Sequence, residues 1–203
     1  MLTIEDQLRA SIPQSSAEVI ERAHERLVMR ADREGLLDVA YRTLDTPVGS
    51  LLLAASADGL LRIAYEREDH DLVLDDLSRQ VSPRLLRAPA RLDHVARQLE
   101  QYFAGSRRIF DLVLDLRLPS GFRRQVLNEL RKIGYGQTAS YGDVAAATGS
   151  PRATRATGTA CATNPLPIVI PCHRVVRSNG ELGQYLGGIE IKRALLSLEM
   201  GRT

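Results

Sequence analysis

The chain has 203 residues, 44% of them hydrophobic and 26% charged, with 27 Lys/Arg against 25 Asp/Glu and a formal net charge of +2. No apolar run approaches the roughly 20 residues of a membrane span, the N-terminus mixes acidic with basic residues unlike a signal or transit peptide, and the two cysteines, Cys161 and Cys172, are too few for a disulfide scaffold or a thiolate zinc cage. The expectation is a globular, cytoplasmic protein with one core, or two small cores sharing an interface, that needs no cofactor and no metal.

In chain order, Ser15 to Glu18 reads as a capping box, and Ile20, Ala23 and Leu27 recur at helical spacing, which predicts an amphipathic N-terminal helix. Residues 30 to 38, charged and glycine-containing, read as a linker. Val39 to Leu44, Ser50 to Ala57 and Leu60 to Tyr65 read as strands joined by turns at Thr46-Pro47-Val48-Gly49 and Asp58-Gly59, a three-stranded meander. Helical patterns cover 69 to 80 and 90 to 103, and Phe110 to Leu116 alternates like another strand.

From Ser120 the pattern becomes mostly helical, with a segment from 120 to 132 stopped at Gly134-Tyr135-Gly136. Tyr141 to Thr148, the Gly149-Ser150 turn and a second helix with Pro151 at its first position form a helix-turn-helix, whose second helix normally enters a DNA groove. Charge follows the same division: residues 116 to 203 carry 12 Lys/Arg against 5 Asp/Glu, or +7, and the remainder carries −5. A basic half beside an acidic half points to a polyanionic partner, although the asymmetry alone also occurs without one.

The run Ile170-Pro171-Cys172-His173-Arg174-Val175-Val176 puts a thiol and an imidazole side by side in an apolar setting. A cysteine becomes a nucleophile when a neighbouring base takes its proton, and a His backed by an acid is the usual device. The plain alternative is a buried structural thiol.

Around this run lie Ser150 to Ala160, Asn164-Pro165-Leu166-Pro167, Gly183 to Gly188, Lys192 and Leu195 to Glu199. From Pro119 to Glu199, without a gap, the order and spacing of Tyr141, Arg155, Asn164, Pro-Cys-His-Arg, Tyr185, Gly-Gly and Glu199 resemble the O6-alkylguanine-DNA alkyltransferases, the methylated-DNA–protein-cysteine methyltransferases. Residues 38 to 118 resemble that family's N-terminal domain in pattern only. Residues 1 to 37 have no counterpart in it, and a structural cap is the favoured reading for them. The resemblance implies an α+β protein with a small ribonuclease-H-like N-terminal domain (38–118) and a mostly helical C-terminal domain with a helix-turn-helix (119–203).

It also implies roles. Cys172 would accept the alkyl group, His173 would deprotonate it through a water, Glu199 would orient the imidazole, and Asn164 would brace the turn. Tyr141 would donate to guanine N3 and press on the target phosphate. Tyr185, Val175, Pro171 and Leu186 would line the pocket for the flipped base. Arg155 would fill the gap it leaves, while Arg152, Pro151, Ala153 and Ala156 would allow close approach to the minor groove with low sequence specificity. The implied partner is double-stranded DNA containing O6-alkylguanine, met by a monomer.

The chain departs from the family pattern in three places. Leu186 replaces a small residue beside Tyr185, which bears on the range of alkyl groups. Thr157 replaces a valine and brings a hydroxyl that needs a partner such as a helix carbonyl. Cys161 lies on the second helix of the motif with no role implied. Three rival readings stay open at this point: a DNA-binding regulator in which alkylation is a signal, a damage-binding module, and a cysteine hydrolase.

Overall fold

The computed structural model describes residues 16–201. A first helix, α1 (Ser16–Arg33), leads into β1 (Val39–Thr46), β2 (Gly49–Ser56) and β3 (Gly59–Tyr65). The proposed cap residue Ser15 lies outside the described residues. The expected meander is present, but a short β4 (Leu85–Arg87), which periodicity over three residues does not reveal, pairs in parallel with β1 and gives the order β3-β2-β1-β4.

β2 is buried on both faces, which explains its continuous apolar run. Leu51 and Leu53 point into the main core, and Leu52 and Ala54 into a second cluster with Val73 and Leu77 of α2 (His70–Gln80). The main core does not stop at the sheet. Leu92, Val95, Leu99 and Tyr102 of α3 (Asp93–Phe103) and its leading turn share one cluster with Val126 and Leu127 of α4 (Gly121–Leu130), Ile170, Cys172 and Leu195. One hydrophobic core therefore runs through both halves of the chain.

Three local expectations need correction. The apolar stripe of α1 faces outward: Ile20 is 67% exposed and Leu27 52%, and Ala23 is exposed too. The packed stripe is His24, Val28 and Ala31, with His24 Nε2 donating to Arg87 O at 2.6 Å. The segment read as a linker is anchored as well, since α1 continues to Arg33 and both Ala31 and Leu37 are buried. Phe110 to Leu116 forms one isolated parallel bridge among the described residues, Leu60 with Leu114, in which Leu60 N donates to Val113 O and Asp115 N to Leu60 O, both at 2.9 Å, and it does not extend into a strand.

The helix-turn-helix is present with a shifted start. A capping box opens α5 (Tyr141–Ala147): Asp143 N donates to Ser140 Oγ at 3.0 Å and Ser140 N to Asp143 Oδ2 at 2.9 Å. Gly149, at φ +74°, closes it with a left-handed residue that a side chain would strain. Pro151 is not the first helical residue. It sits with Arg152 in a turn fixed by Ala153 N donating to Ser150 O at 2.8 Å, and the second helix, α6 (Thr154–Ala162), begins three residues later. The chain ends in α7 (Ile189–Glu199). No helix among the described residues is long and apolar enough to cross a membrane.

Candidate active site

Cys172 opens a single 3-10 turn (Cys172–Arg174) that feeds β6 (Val175–Val176), which pairs in parallel with β5 (Ala139–Ser140) in front of α5. The thiol is 2% exposed. The loop leading to it is held by one side chain: Asn164 Nδ2 donates to Ile170 O at 2.8 Å and to Cys172 Sγ at 3.1 Å, and Asn164 Oδ1 accepts from Leu166 N at 3.0 Å. The same loop forces Ile168 to φ +73°, a strained value for a β-branched residue that costs on the order of 1–3 kcal/mol. From the sheet, Ile63 N donates to Pro165 O at 2.8 Å and fixes the loop from the other side.

Behind the cysteine, His173 Nε2 lies 2.9 Å from Glu199 Oε1, and both side chains are out of solvent. Glu199 also accepts from Tyr102 Oη (2.8 Å), Arg174 Nη2 (2.8 Å) and Nε (2.9 Å), and Gly136 N (3.0 Å). Burial alone would raise its pKa, but the bonds from His173 and Arg174 outweigh burial and hold it well below the usual carboxylate range. A permanently ionised partner requires the proton on His173 Nε2, so Nδ1 carries the lone pair. That atom is buried and unpartnered among the described residues. Burial lowers the His173 pKa more than Glu199 raises it, so the ring is neutral and able to accept a proton.

Burial pushes the Cys172 thiol up to about 11, against the opposing pull of Asn164, Lys192 and Tyr185. Lys192 is fully buried, donates to Val175 O, and stands 5.9 Å over the Tyr141 ring. Tyr141 is half-buried, and burial, then Cys161 and Cys172, raises it to about 12, so its phenol keeps its proton. Its ring packs where any side chain at Gly183 would collide with it.

The structure thus brings together Cys172, His173, Asn164, Glu199, Tyr185 and, beside them, Tyr141, and Pro171 and Val175 are buried as well. On α6 and the turn before it, Pro151, Arg152, Arg155 and Ala156 are exposed and Ala153 is half-buried. Leu186 sits elsewhere: it lines a cleft between the halves with Arg62, Val73, Leu77, Arg123 and Pro165, and Cys172 is not part of that cleft. Thr157 is fully buried with Oγ1 unpartnered, so its hydroxyl does not find the helix carbonyl expected of it. Sequence reasoning missed Tyr102 and Tyr65 and the parts played by Lys192 and Arg174. An arginine inside an apolar run is a signal for the last, whereas Tyr102 and Tyr65 reach the site only through tertiary packing.

Residues 39–116 match the family model of the 6-O-methylguanine DNA methyltransferase ribonuclease-like domain, and residues 121–201 match that of the 6-O-methylguanine DNA methyltransferase DNA binding domain. The chain is 38% identical over 161 residues to the methylated-DNA–protein-cysteine methyltransferase of Methanosarcina acetivorans, covering 78% of this chain and 97% of the relative. It is 39% identical over 160 residues to the constitutive methylated-DNA–protein-cysteine methyltransferase of Bacillus subtilis, covering 78% and 94%. The crystal structure of Mycobacterium tuberculosis O6-methylguanine methyltransferase superposes with a TM-score of 0.71 at 39% identity, over 81% of this chain and 94% of that one. Mycobacterium tuberculosis OGT in complex with DNA superposes at 0.70 with 40% identity over the same shares. With both halves matched and the buried Cys-His-Glu arrangement in place within the second, the chain belongs to the 6-O-methylguanine DNA methyltransferase family.

Proposed function

We propose that this chain is a DNA repair protein that extrudes O6-alkylguanine from double-stranded DNA and transfers the alkyl group irreversibly to Cys172, once per molecule. The observation that carries the reading is the 2.9 Å contact of His173 Nε2 with an ionised Glu199, which leaves Nδ1 as a lone-pair base next to a buried thiol.

The thiol proton goes to His173 Nδ1 through a water. The thiolate attacks the alkyl carbon in line, the S–C bond forms as the C–O6 bond breaks, and the electron pair leaves with guanine. Tyr141, still protonated, donates to guanine N3 and makes the base a better leaving group. Asn164 Nδ2 stabilises the sulfur anion, with Lys192 adding positive potential from below. A thioether has no ready route back to a thiol, which makes the reaction stoichiometric.

The base leaves the stack at a cost of a few kcal/mol. Exposed Arg155, with Arg152 and the small residues Pro151, Ala153 and Ala156 around it, meets the minor groove and replaces the missing base. The pocket for the flipped base is lined by Tyr185, Val175 and Pro171. The side chain of Leu186 turns into the cleft between the halves, so its effect on alkyl-group range is exerted through the backbone beside Tyr185. The proposed division of the chain is a cap at 1–37, a supporting domain at 38–118 and a DNA-binding, alkyl-accepting domain at 119–203, acting as a monomer in the cytoplasm. Support for the cap comes from the contacts of α1 with residues 87–91, His24 with Arg87 O, Glu21 with Arg87 and Asp32 with Arg91.

The test is intact-protein mass after mixing with a duplex carrying one O6-methylguanine. A gain of about one methylene, lost in Cys172→Ala, supports the reading. Tight lesion-dependent binding without a mass gain replaces it with a damage-binding module.

A further inference from the structure

Arg67 lies in a single 3-10 turn (Glu66–Glu68) that follows β3 in the N-terminal half. The turn is braced from within, since Tyr65 N donates to Glu68 Oε1 at 2.8 Å and Glu68 pairs with Arg62. It is also pinned to the C-terminal half. The Tyr65 ring meets that of Tyr185 edge-on with centroids 5.8 Å apart, and the two hydroxyls share a hydrogen bond of 2.8 Å across 120 residues. A Cβ at Gly188 would stand 2.6 Å from Arg67 Nη1, so the guanidinium rests against the backbone of the loop that carries Tyr185. Arg67 is exposed and makes no ion pair or side-chain hydrogen bond among the described residues.

Arg177 reaches the same place from the C-terminal half. It follows β6 in a turn closed by Arg177 N donating to Glu181 O and Gly180 N to Arg177 O, both at 2.9 Å. Its guanidinium keeps only a loose contact with Glu181, at 3.5 Å with the two side chains 61% and 63% exposed, and such a pair gives way readily to a stronger anion. Together Arg67 and Arg177 wall a cleft of about 470 Å³ with Leu182, Gly183, Tyr185 and Gly188, and no carboxylate among the described residues lines it. The cleft adjoins the alkyl-transfer site: the Tyr141 hydroxyl lies 2.5 Å from where a Gly183 Cβ would stand, and Tyr185 meets the His173 ring edge-on at 6.4 Å.

A nucleotide that swings out of the stack takes its flanking phosphates with it, and contacts to phosphate fix position where contacts to bases fix identity. We propose that Arg67 and Arg177 form a phosphate clamp at the mouth of the base pocket, holding the backbone of the lesion strand beside the extruded nucleotide. This rests on the function proposed above. It gives the N-terminal domain a direct contact with DNA, separate from the helix-turn-helix, and the clamp exists only where the two halves pack together.

The experiment measures the affinity of the full chain for a duplex with one O6-methylguanine across a range of salt concentrations. The unaltered chain is compared with Arg67→Gln, Arg177→Gln, the double variant and Arg79→Gln. Each phosphate contact adds about 0.9 to the slope of log affinity against log salt, so each clamp variant should flatten the slope by that amount and weaken binding about five- to tenfold at 0.1 M salt. The double variant should lose about twice as much slope. Arg79→Gln removes the same charge from an exposed position on α2 and should leave the slope unchanged. A neutral methylphosphonate is then placed at single linkages beside the lesion. At the linkage that Arg67 holds, it should weaken the unaltered chain by the factor lost in Arg67→Gln and weaken that variant no further. Unchanged slopes overturn the proposal, as does an equal loss in Arg79→Gln, or losses from Arg67→Gln and methylphosphonate that multiply at every linkage. Alkyl transfer by the unaltered chain is followed alongside: its absence overturns the proposed function and the clamp with it, whereas transfer with unchanged slopes overturns the clamp alone.

Discussion

The hydroxyl of Tyr102, on a helix of the N-terminal half, donates to Glu199 Oε1 at 2.8 Å across 97 residues. The same oxygen accepts from His173 Nε2 and Arg174 Nη2. The carboxylate beside His173 is thus fixed from two halves of the molecule at once, and a family resemblance carried by motifs of the C-terminal half singles out Glu199 without showing what immobilises it.

Tyr102→Phe removes one of five donors and leaves the ring in the shared core. Four donors remain, so Glu199 stays ionised and His173 keeps its tautomer. The expected cost is about 1–2 kcal/mol of stability, since a bond to a charged acceptor is lost, with a two- to fivefold slower transfer. Thermal melts and single-turnover rates check it, and a loss beyond a hundredfold would mean that Tyr102 touches the chemistry itself.

Asn164→Asp keeps shape and reverses polarity. The atom that now donates to Ile170 O at 2.8 Å and Cys172 Sγ at 3.1 Å becomes a carboxylate oxygen facing two acceptors. Sulfur anion formation next to a negative charge is disfavoured, and the strained loop through Ile168 loses its staple. Transfer should fall by at least about a hundredfold, with a loss of about 2–3 kcal/mol in stability. A rate within threefold of the unaltered chain would remove Asn164 from the site.

Acid should act on rate and stability in the same direction. His173 is held below its ordinary 6.5 and must be neutral to accept the thiol proton, so the transfer rate should fall only below pH 6.5. With the thiol at about 11, no second inflection is expected between pH 7 and 9. Below 6.5 the unfolded chain protonates His173 while the folded chain resists. Below 4.5 it protonates Glu199 while the folded chain keeps that charge. In both windows the unfolded state binds more protons, so stability falls with falling pH. Rate and denaturant midpoint measured from pH 4 to 9 test the pair.

Thr157 fills a fully buried position on α6 with an unpartnered hydroxyl. Thr157→Val exchanges that hydroxyl for a methyl of nearly the same volume, so stability should rise by about 1 kcal/mol without change in transfer rate. A lower melting temperature would show that the hydroxyl is satisfied.

How much of this was legible depended on the range of the interactions. Cys172 and His173 stand out by residue type, and Asn164 and Glu199 through the family resemblance; the structure shows the four side chains meeting. The meander was legible because its turns use Gly49 and Gly59 and its strands are apolar runs. Tyr65 and Tyr102 are two ordinary aromatic residues until the chain folds, since nothing near them in sequence marks a partner 97 or 120 positions away. Pro151 misled for a local reason: the residues after it close a turn through Ser150 O before helix geometry begins.

The N-terminal helix shows the limit most sharply, because its sequence carries two helical stripes and only packing chooses between them. Ile20, Ala23 and Leu27 form the more hydrophobic stripe, yet His24, Val28 and Ala31 face the protein. The ion pairs beside them, Arg87 with Glu21 at 3.0 Å and Arg91 with Asp32 at 3.1 Å, are largely exposed and add little. The hydrophobic contact must therefore carry the docking. Ala31→Asp, which buries a charge at an 8% exposed site, should lower stability by about 2–3 kcal/mol, whereas Leu27→Gln should stay within about 0.5 kcal/mol. Neither should change the transfer rate, because Leu27 is exposed and the contacts of α1 with the rest of the fold run to Arg87 and Arg91, away from Cys172 in sequence and in element. If melting curves gave the reverse order, with Leu27→Gln the more destabilising, the helix would be docked through its other stripe and the cap reading of the N-terminal segment would fail.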